Sequence, residues 1–422
     1  MAEANTLTSL NTHFKYVQDR AQDLLPQNAV LMNLVPEITE ATKEGRKYLV
    51  PVQLSHENGV TFGDGTVFAL NSASAAVYEE IEVDAQPTIL QTQISESVAN
   101  RMANGGKAFI TEATMRAKVM YNSLARYLEI AMLYGQSTTG WGTIASITYA
   151  GGAATTATFV VTAAQWSAGI WAGAIGSVLE AYNTNTLVSS GADRLFTVTG
   201  VTASTRTVAV SGTATGLAAL VSALVADTTY VLPVSAKANA MIGLEKQIVG
   251  GATFFGIDPT VYPLWQGQSQ TSVGAISAAK ILTGQAACTA IGGLDVPSVF
   301  MCSAKCFNSL NADTAALRRY DSSYSSGKLE TGTEALTFHG AGGAITVMVN
   351  NIVKDGEAYL LPPKYISRVG AKELSFQRPG KTDEFFQEIP GYAGYSLRCG
   401  AEFAVLLSRP AMACKFSGIT YS

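Results

Sequence analysis

Residues 46–94 read as a long excursion of extended chain, and that excursion constrains the fold most. Tyr48, Val50 and Val52 share one face of a β-type run, with Leu49 on the other. Val77–Val83 (VYEEIEV) is a second such run. The tip between them carries two turn signals, His56-Glu57-Asn58-Gly59 and Gly63-Asp64-Gly65. Two strands joined through so long a tip make an arm or extended hairpin. Such an arm has little core of its own and needs a partner surface.

The composition also calls for a partner. Charged residues make up 14% of the 422-residue chain, against roughly 25% in an ordinary soluble domain. The hydrophobic fraction is 47% and the mean hydropathy is +0.19. A disordered chain is excluded, because it would be apolar-poor and highly charged. The exterior is expected to be covered by something else. A net charge of −4 leaves no basic footprint for broad nucleic-acid binding. Five cysteines, an odd number in a long chain, do not read as a disulfide framework, and a reduced compartment fits them. The opening MAEANTLTSLNTHFK has no secretory pattern. The most apolar stretch, Gly216 to Ala226, is too short to span a bilayer, so no membrane association is expected.

Leu7, Leu10, Phe14, Val17, Ala21 and Leu24 recur at helical spacing, ending near Pro26, and Ala29–Val35 reads as an extended apolar arm. The strongest helix runs from about Thr111 to Tyr134, with Ala113, Ala117, Met120, Leu124, Leu128 and Ala131 on one face and Gly135 as its stop. From Gly142 to about Ser235 charge nearly vanishes and Ala, Gly, Ser, Thr and Val dominate. That segment reads as a small β-rich inserted domain, with Gly200–Ser204 as a hairpin turn. A helix is expected from Ser272 to Ile291, a strand from Pro297 to Cys302, and a helix capped by Ser303 towards Arg318-Arg319-Tyr320. Later strands are expected at Ile345–Val349, Tyr359–Leu361 and Phe403–Leu407.

Catalytic chemistry finds no footing. His13, His56 and His339 lie in separate contexts. Cys302 and Cys306 supply at most half a zinc site, and no CxxC exists, so buried cysteines are the better reading. Ser325-Ser326-Gly327-Lys328, Gly135–Gly140 and Gly340–Gly343 are chance partial matches to catalytic or nucleotide motifs. Glu79, Glu80, Glu82 and Asp84 alternate faces of a strand, so they do not converge as a catalytic pair. No catalytic, cofactor-binding or metal residue is assigned, no cofactor is expected, and the chain does not read as an enzyme.

The order of parts resembles the major capsid proteins of tailed double-stranded DNA bacteriophages with the HK97-type fold. The resemblance rests on the N-terminal arm, the long loop, the isolated helix, and three stretches. These are GIDPTVYPLWQG before residue 268, GGLDVPSVFMCSAKCFNSL at 292–310 and the closing RCGAEFAVLLSRPAMACKFSGI. It implies an α+β fold with an N-arm at 1–45 and an E-loop at 46–95. A P-domain with its spine helix would span 96–141, and the inserted β-rich domain 142–235. The P-domain would continue over 236–296, the A-domain with its connections would span 297–395, and 396–422 would close the P-domain. It implies self-assembly into hexamers and pentamers of an icosahedral head enclosing DNA, with scaffolding, portal and decoration proteins as partners. The chain would belong to the virion, assembled in the host cytoplasm. Phe62, Asp64 and Phe68 in the loop, and Glu112, Arg116, Arg318 and Arg319 in the P and A domains, are the expected assembly contacts. An encapsulin-like shell and a β-rich surface-binding protein are the competing readings.

Overall fold

The computed structural model describes residues 30–36, 42–44, 47–95 apart from 64 and 66, 107–312 apart from 250, 252 and 294–297, 336–376, and 385–421. Its longest element is a helix from Lys107 to Tyr134, about 42 Å long at 1.5 Å per residue. Ala117, Met120, Leu124 and Leu128, the spacing that marks it in the sequence, are buried. It ends at Gly135 because another chain segment passes there. A Cβ on Gly135 would sit 2.2 Å from the Met241 carbonyl oxygen.

Against this helix lies an antiparallel sheet centred on the strand Gly394–Leu407. That strand pairs with Ile366–Ser375 along one part, with Phe386–Glu388, and with Gln86–Ser95 over Gly394–Phe403. Residues 86–95, the end of the extended excursion, therefore belong to a sheet shared with the C-terminal region. A second sheet runs in the order Gln268–Gln270, Cys414–Ser417, Glu357–Leu361, Ser298–Cys302, Gly343–Val349, Thr337–Gly340. The helix Ala278–Gly292 shares its core through Ile281 and Cys288, packed with Phe300, Phe338, Leu360 and Phe416.

Residues 144–233 build a sheet entirely of their own. Its order is Tyr230–Pro233, Val178–Asn183, Phe196–Thr202, Thr207–Ser211, Thr156–Val161, Ile144–Tyr149, with the short Thr186–Leu187 on the side. The two ends meet: Thr143 bridges Tyr230, and the Trp141 and Ile144 amides donate to the Val231 and Thr229 carbonyls at 2.8 and 2.7 Å. The sheet thus closes into a six-stranded barrel, which removes its edges. The helix Ala214–Ala223, capped by Thr213 on the Gly216 amide, buries Leu217 and Leu220 against it. Trp141, Trp166 and Trp171 fasten the barrel to the body: Trp141 stacks on Tyr127 of the long helix at 5.8 Å and meets Trp171 edge-on at 5.8 Å. Arg126 of that helix donates to the Gly169 and Ile170 carbonyls at 2.5 and 2.7 Å.

A buried ionic cluster ties barrel, helix and second sheet together. Lys415 pairs with Glu245 and, at 2.8 Å, with Glu357. Glu357 also accepts from Gln165 Nε2 at 2.9 Å and from the Tyr359 hydroxyl at 2.8 Å. Lys354 Nζ donates to Thr139 Oγ1 at 2.7 Å and lies 4.1 Å from the Tyr134 ring centre. Thr139 in turn donates to Glu245 at 2.7 Å. Two carboxylates and two ammonium groups offset one another, and the hydroxyl and amide donors satisfy the remaining lone pairs. Buried charge is tolerable only under those conditions.

Three local expectations are corrected. Val30–Leu34 is a short helix, not an extended arm. The buried Glu129 carboxylate accepts from the Leu31 amide at 3.0 Å, satisfying a first-turn donor that an isolated helix leaves open. The second correction is the hairpin turn, which falls at 203–206 with Arg206 at φ 58°, two to three residues beyond Gly200–Ser204. Third, the helix expected from Ser272 starts at Ala278, because Gly274 is left-handed at φ 66° and Gly274–Ala275 pair with Ile419–Thr420.

Candidate assembly interface

The hairpin of the extended excursion is real and its base is well anchored. Lys47–Gln53 pairs with Tyr78–Asp84 in register from Lys47 opposite Asp84 to Gln53 opposite Tyr78, with Thr42–Glu44 alongside. Alternation puts Ile81 and Val83 on the body side, both fully buried, and Glu80 and Glu82 outward. Lys47 pairs with Glu82 across the two strands.

Beyond residue 53 the ladder thins. The Leu54 amide donates to the Val77 carbonyl at 2.9 Å, and Asn58 and Ser74 exchange backbone hydrogen bonds. Asn71 then ties the far end: its backbone amide donates to Thr61 Oγ1 and its Nδ2 to the Val60 carbonyl, both at 2.8 Å. Among the described residues, these hydrogen bonds tie the two sides of the tip together. Phe62 is 93% exposed, and Val60, Val67, Leu70 and Tyr78 are exposed with it. Phe68 is partly covered because its ring lies over Gly63, where a Cβ would meet it at 2.1 Å. So many exposed large apolar groups on one hairpin are the kind of surface that interaction sites present.

Among the expected contact residues, the structure places Phe62 and Phe68 together at this tip. Asp64, Arg318 and Arg319 lie outside the described residues. Glu112 and Arg116 fall on the first half of the long helix, where the backbone alone is described. Val60, Val67, Leu70 and Tyr78 escaped the sequence reading. The available signal was four large apolar residues in a segment with too many turns to bury them.

Other chemistry is spare. All five cysteines are free and buried. Burial drives the Cys399 thiol up to about 12, and Cys306 beside Cys302 raises that thiol too. Among the described residues no three His, Cys, Asp or Glu side chains converge as a metal site, and no helix is long and apolar enough to cross a membrane.

The family model for the SU10 major capsid protein matches residues 78–409, well over half of the chain. The chain belongs to the SU10 major capsid protein family. Its function is therefore that of a tailed-phage major capsid protein, a structural component of the virion that self-associates. The capsid subunit of cyanophage A-1(L) aligns over 95% of this chain and 95% of its own, with TM-score 0.53 and 10% identity, which shows a shared fold. The capsid of a native GTA particle aligns over 94% of this chain and 92% of its own, at TM-score 0.48 and 8% identity. Mycobacterium phage Che8 aligns over 92% and 91%, at TM-score 0.40 and 13% identity. No curated protein sequence matches.

Proposed function

We propose that this SU10-family chain builds an icosahedral head from hexamers and pentamers of itself and encloses double-stranded DNA. The observation that carries this reading is the hairpin, rooted in the body through Ile81 and Val83 yet ending in an uncovered Phe62. A monomer would leave that surface wet, whereas a ring of copies covers each tip with a neighbour. Contacts of unlike patches around a closed ring are heterologous, which arms and loops supply.

In this reading the fold is of the HK97 type. The hairpin is the E-loop, the Lys107–Tyr134 helix is the spine of the P-domain, and the closed barrel over 142–235 is an insertion domain. The second sheet belongs to the A-domain and its connections. Phe62, Asp64 and Phe68, with Glu112, Arg116, Arg318 and Arg319, form intersubunit contacts. Scaffolding, portal and decoration proteins act on the assembled shell, DNA lies on its inner face, and the chain performs no enzymatic step. Assembly takes place in the host cytoplasm. The SU10 family match favours a phage head over an encapsulin-like compartment or a surface-binding protein.

Size-exclusion chromatography with negative-stain microscopy of the void fraction tests this. Rings of five and six, or closed particles tens of nanometres across, are the expected result. A chain that stays a 44.3 kDa monomer at every concentration would overturn it.

A further inference from the structure

A groove opens where the long helix meets the barrel. It holds about 200 Å³ and is lined by Asn122, Ser123, Arg126, Tyr127, Ile130, Trp141, Ile170, Gly173 and Ala174. Ile130, Trp141, Ile170 and Ala174 make a buried apolar floor. The Tyr127 ring, stacked on Trp141 and tethered by its hydroxyl to Ser177 Oγ at 2.7 Å, forms a fixed aromatic wall. Val119, one helical turn before Ser123, and Ile175, next to Ala174 in the chain, are exposed apolar groups.

Arg126 gives the groove its charge. Its guanidinium is half-buried and pairs with no carboxylate among the described residues; it donates to the Gly169 and Ile170 carbonyls instead. Burial pushes its pKa down. An apolar floor beneath one unpaired cation selects an occupant with an apolar or aromatic body and a carboxylate close by.

The chain carries such a group. Tyr78 and Glu80 stand on the same outward face of the hairpin strand Tyr78–Asp84, two residues apart and about 7 Å along the strand. Tyr78 is 64% exposed. Glu80 is exposed and has no ion pair among the described residues, whereas its neighbour Glu82 is held by Lys47. The strand is stiffened by its pairing with Lys47–Gln53, so the two side chains are presented together.

We propose that the groove between long helix and barrel is a socket for the Tyr78–Glu80 face of a second copy of this chain, with Tyr78 over the apolar floor and Glu80 on Arg126. This names one contact within the self-assembly proposed above and rests on that reading. It also gives the barrel a task, since Ile170, Gly173 and Ala174 line the socket.

The test is particle yield, read by sedimentation and negative stain, for the full-length chain. Ser123→Trp fills the groove from a half-buried lining position that makes no side-chain hydrogen bond among the described residues; yield is expected to fall at least tenfold with an unchanged thermal midpoint. Arg126→Glu and Glu80→Arg are each expected to cut yield similarly, and the double variant to recover most of it, because the pair is re-formed with the charges exchanged. Should Arg126→Glu unfold the subunit, Ser123→Trp and Glu80→Arg still decide. Wild-type yield from both of these would overturn the socket while leaving self-assembly standing. Normal shells from Ser123→Trp that have lost a separate bound protein would assign the groove to that partner and also overturn it. Absence of particles from the unaltered chain would instead strike the self-assembly reading.

Discussion

Replacing Lys415 by Met tests how the body of the subunit is held together. Lys415 neutralises Glu245 and Glu357, and all three side chains are nearly inaccessible to water. Without it, two buried carboxylates face one ammonium group, that of Lys354. Breaking a buried pair from one side costs about 3–5 kcal/mol, because the stranded charge keeps its desolvation penalty. With an unfolding entropy of about 2.1 cal/mol/K per residue, a cost of about 4 kcal/mol lowers the melting temperature of this chain by about 4–5 °C. Urea unfolding of the unassembled subunit, followed by circular dichroism, measures the loss directly. The double variant Lys415→Met/Glu245→Met leaves one carboxylate, Glu357, for one ammonium group, Lys354, and is expected to be more stable than Lys415→Met alone. A single variant within about 1 kcal/mol of the parent, or a double variant that simply adds a further loss, would refute the reasoning.

Acid and base should act on the same cluster. Burial alone raises the Glu357 carboxyl, but Lys415 and Lys354 more than reverse this and hold it down at about 2, below its ordinary 4.5. Its contribution is therefore full above pH 4.5 and is lost as pH falls towards 2, so the urea midpoint should drop over that window. Burial, with Lys415 adding to it, pushes Lys354 down from 10.5 to about 8. Keeping that amine protonated costs stability below pH 8, and the cost is relieved as pH rises from 8 towards 10.5, where the midpoint should climb. Gly169→Ala would place a Cβ 2.1 Å from the Asn351 carbonyl oxygen, so a loss of about 1–3 kcal/mol is expected in the same assay. Phe62→Ser should change subunit stability by less than about 0.5 kcal/mol yet lower particle yield at least tenfold by sedimentation; a normal yield would remove the tip from the interface.

What could be read from the residues was whatever repeats along the chain. The Lys107–Tyr134 helix announces itself because its apolar face recurs at helical spacing and Gly135 stops it. The hairpin is visible because VYEEIEV alternates and the tip is dense with turn formers. Ser303 caps its helix as expected, its oxygen accepting from the Cys306 amide. Features made by distant contacts stayed hidden. Val30–Leu34 is helical because Glu129, 98 positions along from Leu31, caps it. Barrel closure depends on Thr143 finding Tyr230, which no local pattern encodes. The ionic cluster joins positions 245, 354, 357 and 415, which only the folded chain brings together. Lys415, a lone charge between apolar neighbours in ACKFS, is the one sequence hint of a buried pair. Of the candidate assembly surface, the exposure of Phe62 was legible from its place in a turn-rich loop, whereas the groove at Arg126 forms only when barrel and helix meet.

The claim that the hairpin tip is covered by a neighbouring copy can be measured at one position. All five native cysteines are buried, so a cysteine introduced as Phe62→Cys is the fast-reacting thiol of the folded subunit. Its maleimide labelling rate is compared in assembled particles and in subunits dispersed from them. The account predicts labelling at least tenfold slower in the particles. Equal rates in the two states would mean the tip stays open to water in the shell, and would contradict it.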